Sequence, residues 1–417
     1  MDAQIEVYID LNEVPHRVGR LWPHVRSGRE SATFEYTNHW LENPERFSLD
    51  PMLPLASGPF HTEQDTALFG SIADSAPDRW GRALIRRAER RRARGKDETP
   101  RTLFEIDYVL GVDDQARQGA LRFSRSIGGS FLAHQGEERI PPVFALPKLL
   151  SAAEHVIADT ETEEDLALLL APGSSLGGAR PKASIVDLDK ILAVAKFPHP
   201  NDEWDTVLWE AVALSLAGSA GVTTPSWRLI EVEGKSILIS HRFDRQGKTR
   251  IPFLSAMSML GAKDNETRSY LEIVDSIRQQ GASPKANVHQ LWRRIVFTIL
   301  ISNVDDHLRN HGFLHLNQEG WDLSPAYDLN PMPTDVRPRI LSTTIDEGDA
   351  EAALDSAFGV AEYFDLTLKE ARKIASEVGK SVSDWRKTAV ELGCSRMECD
   401  RMASAFEHDD LKLALEG

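Results

Sequence analysis

A short polar stretch, NVDDHLRN at 303–310, directly follows the apolar run LWRRIVFTIL at 291–300. Polar side chains at the end of an apolar helix are costly to bury unless they are paired or do chemistry. Asp305 and Asn310 stand five residues apart, as do the proton-accepting Asp and the metal-binding Asn in the catalytic loop of protein kinases. Farther on, Asp328 follows a short apolar segment, where a second metal-binding aspartate is expected. The pattern indicates phosphoryl transfer, with Mg²⁺ held by carboxylate and amide oxygens.

Three histidines in the same region allow a second interpretation. His307, His311 and His315 recur every four residues, a spacing at which helical histidines can share a zinc ion. Gly312 should end any helix there, however, and no glutamate follows His307 as in the H-E-x-x-H motif. A polar helix cap is the structural alternative for any one of these residues.

A glycine-rich segment, SSLGGARPK at 174–182, has the composition of a phosphate-binding loop. Glycines let backbone N–H groups approach phosphate oxygens without a Cβ in the way. The segment is not a Walker A loop, because the order glycine, lysine, then serine or threonine is missing. A plain surface turn is the alternative. The candidate nucleotide-binding residues here are Gly177, Gly178, Ala179, Arg180, Pro181 and Lys182.

A lysine ends the apolar strand ILAVAKF at 191–197. Burying Lys196 is expensive unless it is paired, so it either reaches solvent or binds phosphate below the glycine loop, as in protein kinases. Glu210, on the helix that follows, would orient the lysine through an ion pair. The alternative for Glu210 is a solvated helical glutamate.

The elements that must position these residues fall into two halves. Alternation of apolar and polar residues predicts strands at 4–10, 32–37 and 119–124. A helix is predicted at about 204–220, with one pair of strands before it and another pair after it. After about 255 the apolar spacing becomes helical. We therefore predict an α+β first half and a mostly helical second half, with a boundary near 247–254.

Composition restricts the class of protein. The 417 residues carry a net charge of −16, and only Cys394 and Cys399 are cysteines, which excludes a disulfide framework. No membrane span or signal peptide is recognisable, so we expect a cytoplasmic protein without a membrane partner. Such an acidic chain would need a local patch or a partner to bind DNA. RRAERRRARGK at 86–96 is one such patch, or else a solvated helix face.

Several motifs together resemble the HipA family of bacterial serine/threonine kinases, the toxins of HipBA-type toxin–antitoxin systems. The motifs are LFGSIADSAPDRWGR, SSLGGARPKAS, AVAKF, HRFDR, NVDDHLRNHGF and LSPAYDLNP. The resemblance implies a two-lobed α+β kinase fold, similar to phosphoinositide 3-kinase-like enzymes, with a mixed N-terminal lobe and an all-helical C-terminal lobe. It divides the chain into an N-terminal subdomain at 1–125, a nucleotide-binding part at 126–250 and a catalytic helical lobe at 251–417.

The resemblance also implies roles for single residues. Asp305 looks like the catalytic base, Asn310 and Asp328 like the Mg²⁺ ligands, and Lys196 like the phosphate-binding lysine. His307 corresponds to a histidine near the nucleotide phosphates. The remaining residues implied to contact ATP are His241, Arg242 and Phe243 of the adenine hinge, and Tyr327. Histidine replaces a hinge glutamate at 241, which puts a side-chain contact to the adenine amine in doubt.

The family's glycine loop carries a serine whose autophosphorylation ejects the loop and silences the kinase. Ser175 corresponds to this serine, and the adjacent Ser174 is the alternative. The loop departs from the family in Arg180–Pro181, where Gln–Glu is common. Proline should stiffen the loop.

The resemblance further implies a biological role. Family toxins phosphorylate aminoacyl-tRNA synthetases, glutamyl-tRNA synthetase being the best known, which slows translation and favours growth arrest and persistence. The partner is a separate HipB-like helix-turn-helix antitoxin, through which operator DNA is mainly bound. Two alternatives stand beside this one. The first is a catalytically weak scaffold that represses transcription with an antitoxin, and the second is a small-molecule kinase.

Overall fold

The computed structural model describes residues 4–133, 140–170, 178–317 and 319–416. The chain forms two compact units, each built from two separate stretches of sequence. One comprises Met1–Asn201 and Glu231–Leu254, and the other comprises Asp202–Ile230 and Ser255–Gly417. Among the described residues, no helix combines the length and the apolar character needed to cross a membrane.

The helices and strands of the described residues have the following bounds. The strands are β1 Ile5–Leu11, β2 Val14–Arg26, β3 Arg29–Tyr36, β4 Pro59–His61, β5 Leu121–Ser124, β6 Lys182–Val186, β7 Leu192–Lys196, β8 Trp227–Val232, β9 Lys235–His241, β10 Arg245–Gln246, β11 Thr249–Arg250, β12 Phe253–Ser255, β13 Gly312–Asn317 and β14 Gly320–Leu323. The helices are α1 Asn38–Leu41, α2 Gly70–Ala73, α3 Arg79–Gly95, α4 Glu105–Gly111, α5 Leu146–Ile157, α6 Glu163–Leu170, α7 Thr206–Ser219, α8 Ala256–Met259, α9 Tyr270–Gln280, α10 Pro284–Leu300, α11 Leu354–Gly359, α12 Leu368–Ser383, α13 Trp385–Glu391, α14 Arg396–Phe406 and α15 Asp409–Glu416.

The first unit begins with an antiparallel sheet in the order β4-β3-β2-β1-β5. β1 is buried along almost its whole length. Ile5, Val7 and Ile9 face the hydrophobic core of this unit, and on the other face Glu6 pairs with Arg17 and Tyr8 packs against Phe131. Gly19 of β2 lies opposite Val7 of β1. A Cβ atom at Gly19 would come within 2.4 Å of the ring of Phe34 on β3. Only glycine allows the two strands and that ring to pack this closely.

A second antiparallel sheet in this unit carries the lysine strands. β7 pairs with β6 on one side and with β9 on the other. In this register Lys182 stands opposite Lys196, and Lys196 stands opposite Leu238. The sheet therefore places Lys182, at the end of the glycine-loop motif, beside Lys196 at one end of the β6–β7 pair.

The second unit is mainly helical, and α7 lies in its core. The helix is apolar around its whole circumference, which is typical of a helix buried on all sides. Trp209 packs against Trp385 and Phe406, and the rings of the latter two stack with centroids 4.6 Å apart. Residues 202–230 thus belong to the helical unit, whereas the three-part division predicted from the sequence places them in 126–250.

One detail of the second unit departs from the all-helical lobe that we expected. Residues after Asn310 form an antiparallel hairpin, β13 and β14, in which Phe313 pairs with Leu323. Gly320 has φ +142° in the turn, a conformation that side chains rarely adopt. The side chain of Asn287 on α10 bonds the hairpin at Asp322, which anchors it to the helical core.

Candidate functional site

The polar stretch begins where α10 ends, at Leu300. Ser302 then adopts φ 51°, in the left-handed region that non-glycine residues seldom occupy. Its hydroxyl donates to the carbonyl of Ala405 at 2.9 Å, which helps to hold the sharp change of direction. The chain is therefore turned away from the helix axis immediately before Asp305.

Asp305 and Asn310 are adjacent in space. The Asn310 amide nitrogen donates to the Asp305 carbonyl at 3.3 Å. The Asp305 carboxylate is 62% exposed and has an Arg337 guanidinium nitrogen 3.7 Å away. By contrast, Asn310 is buried, and within the described part of the chain its Oδ1 atom has no hydrogen-bond partner. The loop thus presents an accessible carboxylate beside a buried, unused amide oxygen.

The aspartate next to the predicted base has a different environment. Asp306 is buried, and its Oδ2 atom accepts from the Tyr270 hydroxyl at 2.6 Å and lies 3.1 Å from His311 Nε2. Its backbone carbonyl accepts from the Thr343 hydroxyl at 2.8 Å. Burial alone would raise the pKa of Asp306, but the His311 charge and these hydrogen bonds hold it below its ordinary value. Asp306 therefore anchors the loop from inside.

The segment that carries Asp328 is tied to the same loop. The Tyr327 hydroxyl donates to the Arg309 carbonyl at 2.7 Å, one residue before Asn310. Asp328 itself has φ 60°, and its backbone carbonyl accepts from the Asn330 amide at 3.1 Å. The strained backbone at Asp328 and the Tyr327 bond together fix this segment beside the catalytic-loop motif.

The three histidines do not form a zinc site in this structure. Gly312 begins β13, so no helix continues through the stretch. His311 is bonded to Asp306, and His315 lies edge-on to Trp321, with its pKa lowered to about 4 by burial. Among the described residues no group of three histidine, cysteine or acidic side chains is placed to hold a metal ion. His307 is half-buried, and its Nδ1 atom has no hydrogen-bond partner among the described residues.

In the first unit, Lys182 is bound within the protein. Its ammonium lies 2.7 Å from the Asp78 carboxylate, and both side chains are almost completely buried. Asp78 also caps α3 by accepting from the Gly81 N–H at 2.8 Å, and the Trp80 indole donates to the Lys182 carbonyl at 3.0 Å. The end of the glycine-loop motif is thereby fastened to the start of α3.

The structure describes only part of the glycine loop. Gly177, Ser174 and Ser175 lie outside the described residues. Gly178 has φ 91°, which suits a tight turn, while Ala179 and Arg180 are exposed. Pro181 is buried and its carbonyl accepts from the Phe197 N–H at 2.9 Å, which aligns the loop end with β7.

The predicted hinge residues make contacts of their own. His241 lies 3.0 Å from the Asp187 carboxylate, and the Phe243 ring packs against Phe253. Arg242 is buried, and its Nε atom donates to Asp244 at 2.6 Å. Burial would raise the pKa of Asp244, but the arginine charges beside it hold that pKa well below its usual range. The Arg242 guanidinium is thus part of a buried ion cluster.

Two further candidates lie on separate units. Lys196 is half-buried at the end of β7, in the first unit. Glu210 is buried on α7, in the second. The ion pair expected between them stays a prediction.

Two regions of the chain match known protein families. Residues 174–386 match the HipA-like C-terminal domain, and residues 8–105 match the HipA N-terminal domain. The first match alone covers just over half of the chain. The chain belongs to the HipA family.

Two curated relatives agree with this assignment. One, named "Putative kinase", from Haemophilus influenzae, is 22% identical over 219 residues, which are 46% of this chain and 64% of that protein. The chain therefore matches less than two thirds of that relative's length. Another, named "Putative kinase Y4mE", from Sinorhizobium fredii, is 23% identical over 328 residues, covering 71% of each protein.

A solved structure confirms the fold. HipA in the HipA, HipB and operator DNA complex of Shewanella oneidensis aligns with a TM-score of 0.65 at 15% identity, over 99% of this chain and 96% of that one. The mixed α/β kinase-like fold expected from the motifs is therefore correct, and so is the family resemblance.

Sequence reasoning missed two residues that organise this HipA-family site. No role was predicted for Asp306, whose two main partners are Tyr270 on α9 and His311, directly before β13. Asp78 was seen only as part of the SAPDRWGR motif. Its use as an N-cap was detectable, because aspartate before a helix is a common cap, but its ion pair with Lys182 spans 104 positions.

Proposed function

We propose that this HipA-family chain is an ATP- and Mg²⁺-dependent serine/threonine protein kinase. The observation that carries the proposal is the state of Asn310, whose side-chain oxygen is buried and has no hydrogen-bond partner among the described residues. A buried amide oxygen without a partner is costly unless a ligand satisfies it. It lies in the loop that also exposes the Asp305 carboxylate.

The residues present fit a magnesium ion. Asn310 and Asp328 would hold it through oxygen atoms, which Mg²⁺ prefers, with phosphate oxygens and water completing the coordination. When bound, the ion would neutralise charge on the phosphate groups. Asp305 would accept the proton of a serine or threonine hydroxyl, and its exposure suits a hydroxyl carried on another protein.

The nucleotide would be held by groups of different kinds. Lys196 would act on the phosphates, with Glu210 as its orienting partner, and the backbone from Gly177 to Lys182 would cover them. The Lys182 ammonium is engaged by Asp78, so we propose that this residue contributes chiefly through its backbone. Arg242 would likewise act through its backbone in the hinge, beside His241 and Phe243, while His307 and Tyr327 would line the phosphate side.

We propose a type II toxin as the biological role. The structural relative is a HipA from a complex with HipB and operator DNA, which supports a helix-turn-helix antitoxin and operator DNA as partners of this chain. The target proposed from the family is an aminoacyl-tRNA synthetase, glutamyl-tRNA synthetase or another. Its phosphorylation would inhibit translation and induce growth arrest and persistence.

The decisive experiment incubates the purified chain with γ-labelled ATP, Mg²⁺ and a panel of purified synthetases. Label on one synthetase is the expected result, and Asp305→Asn should reduce it by about 10²–10⁴-fold. Asp355→Asn, a change at an exposed carboxylate on α11, is the matched control and should keep full activity. Absence of label on every protein would reject the kinase proposal.

Autophosphorylation of Ser175 is proposed as the off-switch. A phosphate brings about −1.5 to −2 charges and would be repelled beside ATP, so the loop would have to move outward. Mass spectrometry after incubation with ATP and Mg²⁺ should find phosphate on Ser175 of the active protein and none on the Asp305→Asn variant. If the modified protein still binds ATP and phosphorylates its target at the original rate, the switch does not exist.

A further inference from the structure

The helix α3 carries an unusual concentration of arginine. Its sequence, RWGRALIRRAERRRARG, contains no lysine and a single acidic residue, Glu89, in a chain with a net charge of −16. Glu89 is buried and pairs with Arg92 and Arg101, so it does not neutralise the other arginines of the helix. This stretch is the basic patch noted in the sequence, and the proposed kinase reaction does not use it.

The arginines of α3 fall into two sets. Three are held by carboxylates: Arg82 by Glu105, Arg87 by Asp159 and Glu161, and Arg92 by Glu89 and Glu98. In the part of the chain that the structure describes, the others form no side-chain hydrogen bond or ion pair. These are Arg79, Arg86, Arg90, Arg91 and Arg94, and all five are exposed.

Four of the unpaired arginines share one face of the helix. At 100° per residue, Arg79, Arg86, Arg90 and Arg94 lie within about 80° of one another and extend over about 22 Å of the axis. The last three are spaced one turn apart, at about 6 Å. We call these four residues the arginine row. A row of equal charges along one face suits a ligand whose negative charges also repeat regularly.

We infer that the arginine row binds the phosphate backbone of duplex DNA. The inference rests on the proposed partnership with operator DNA and assigns a contact surface on this chain to it. Arginine is the preferred side chain for phosphate because its planar guanidinium donates two parallel hydrogen bonds. Phosphate contacts of this kind position a protein on DNA without reading sequence. The acidic remainder of the chain restricts attraction to this face.

The helix is held firmly enough for such a contact. Its first turn is fixed by the Asp78 cap and by the Trp80 indole bond to the Lys182 carbonyl. Leu84 and Ala93 are buried along its length. The arginine row therefore projects from a rigid element, and the entropy lost on binding is confined to the arginine side chains.

The test measures fluorescence anisotropy of a labelled duplex of about 20 base pairs with the full chain, at about 50 and 200 mM salt. Four phosphate contacts predict a slope of log K against log salt of about −3.6. The triple variant Arg86→Gln, Arg90→Gln, Arg94→Gln should lose about tenfold or more in affinity at the lower salt, with a slope near −0.9. Glutamine keeps the helix propensity close to that of arginine.

The matched control removes the same charge elsewhere. Lys369→Gln, Lys373→Gln, Lys380→Gln on α12 alters three exposed lysines and should leave DNA affinity unchanged. The Asp305→Asn protein should also bind DNA normally, so a failed kinase proposal would not affect this result. No binding at the lower salt, or equal affinity of the two triple variants, overturns the inference. Tighter binding of duplex RNA or of poly-glutamate than of DNA overturns it as well.

Discussion

The hydroxyl of Tyr270 donates a 2.6 Å hydrogen bond to the carboxylate of Asp306, and both side chains are buried. This bond joins α9 to the loop that carries the proposed base, and His311 reaches the same oxygen from the start of the hairpin. Two consecutive aspartates therefore have opposite environments. Asp305 faces outward, as the proposed base requires, while Asp306 faces inward and holds the loop in place.

Substitutions of Asp305 and Asp306 allow their contributions to the free energy of unfolding to be compared. Asp306→Ala should lower the free energy of unfolding by about 3 kcal/mol or more, because Tyr270 and His311 lose a charged acceptor in a buried site. Asp305→Ala should change it by about 0.5 kcal/mol or less, since that carboxylate is exposed. Urea denaturation followed by circular dichroism measures both. Equal losses for the two variants would contradict the assigned roles.

Magnesium-dependent ATP binding tests the proposed ligands. Asn310→Ala and Asp328→Asn should each weaken ATP binding by about tenfold or more in the presence of Mg²⁺, because the first removes an oxygen ligand and the second removes the negative charge of one. Binding measured with EDTA should be nearly unchanged by either substitution. Asp264→Asn, at an exposed carboxylate paired with Arg309, is the control. The ligand assignment is wrong if both variants bind Mg·ATP like the unmodified protein.

The buried pair of Lys182 and Asp78 is suited to a double-mutant cycle. Asp78→Ala should cost about 3–5 kcal/mol of stability, because it leaves the Lys182 ammonium buried without its carboxylate and removes the cap of α3. Lys182→Met alone should cost less. The double variant should be more stable than the sum of the two losses predicts. Simple additivity in thermal or urea unfolding would show that the pair contributes no coupling.

The buried His408 should make the stability of the fold depend on pH below neutrality. Burial, and the nearby Arg339 charge, lower its pKa from an ordinary value of 6.5 to about 4. Between those values the unfolded chain binds a proton that the folded chain does not. The free energy of unfolding should therefore have its full value above pH 6.5 and should decrease as the pH drops towards 4.

The variant His408→Phe should flatten this part of the stability profile. The Nε2 atom of His408 lies 3.2 Å from the carbonyl of Leu300, at the last residue of α10, so the substitution also costs some stability at neutral pH. The diagnostic quantity is thus the slope of melting temperature against pH between 4 and 6.5. A slope identical to that of the unmodified protein would exclude His408 as its source.

Sequence patterns were informative wherever the determinant is local. The alternation in QIEVYID and ATFEYT predicted β1 and β3, and the apolar run at 204–220 predicted α7. β2 was missed, although it lies between β1 and β3, because Pro15, Pro23 and several charged residues interrupt its apolar pattern. Its hydrogen bonds to two neighbouring strands override a weak intrinsic preference.

The candidate site also contains local features that the sequence predicts and contacts that it does not. The spacing of Asp305 and Asn310 is a property of one loop, and the structure places the Asn310 side chain against the Asp305 backbone. Tyr270, which binds Asp306, and Asp78, which binds Lys182, come from distant parts of the sequence, and no periodicity encodes such pairs. The Arg242 guanidinium is bound to Asp244, only two residues farther on, but the HRFDR motif does not by itself show that these two side chains pair.

The interleaving of the two units has a consequence for how the polypeptide is made. Residues 202–230 leave the ribosome before the first unit is complete at 254, yet they belong to the helical unit. The apolar helix within them finds its aromatic partners, Trp385 and Phe406, only when the last part of the chain has been synthesised. A nascent chain must therefore shelter that helix throughout most of the remaining translation, and a protein shortened before α13 would expose it permanently to aggregation and degradation.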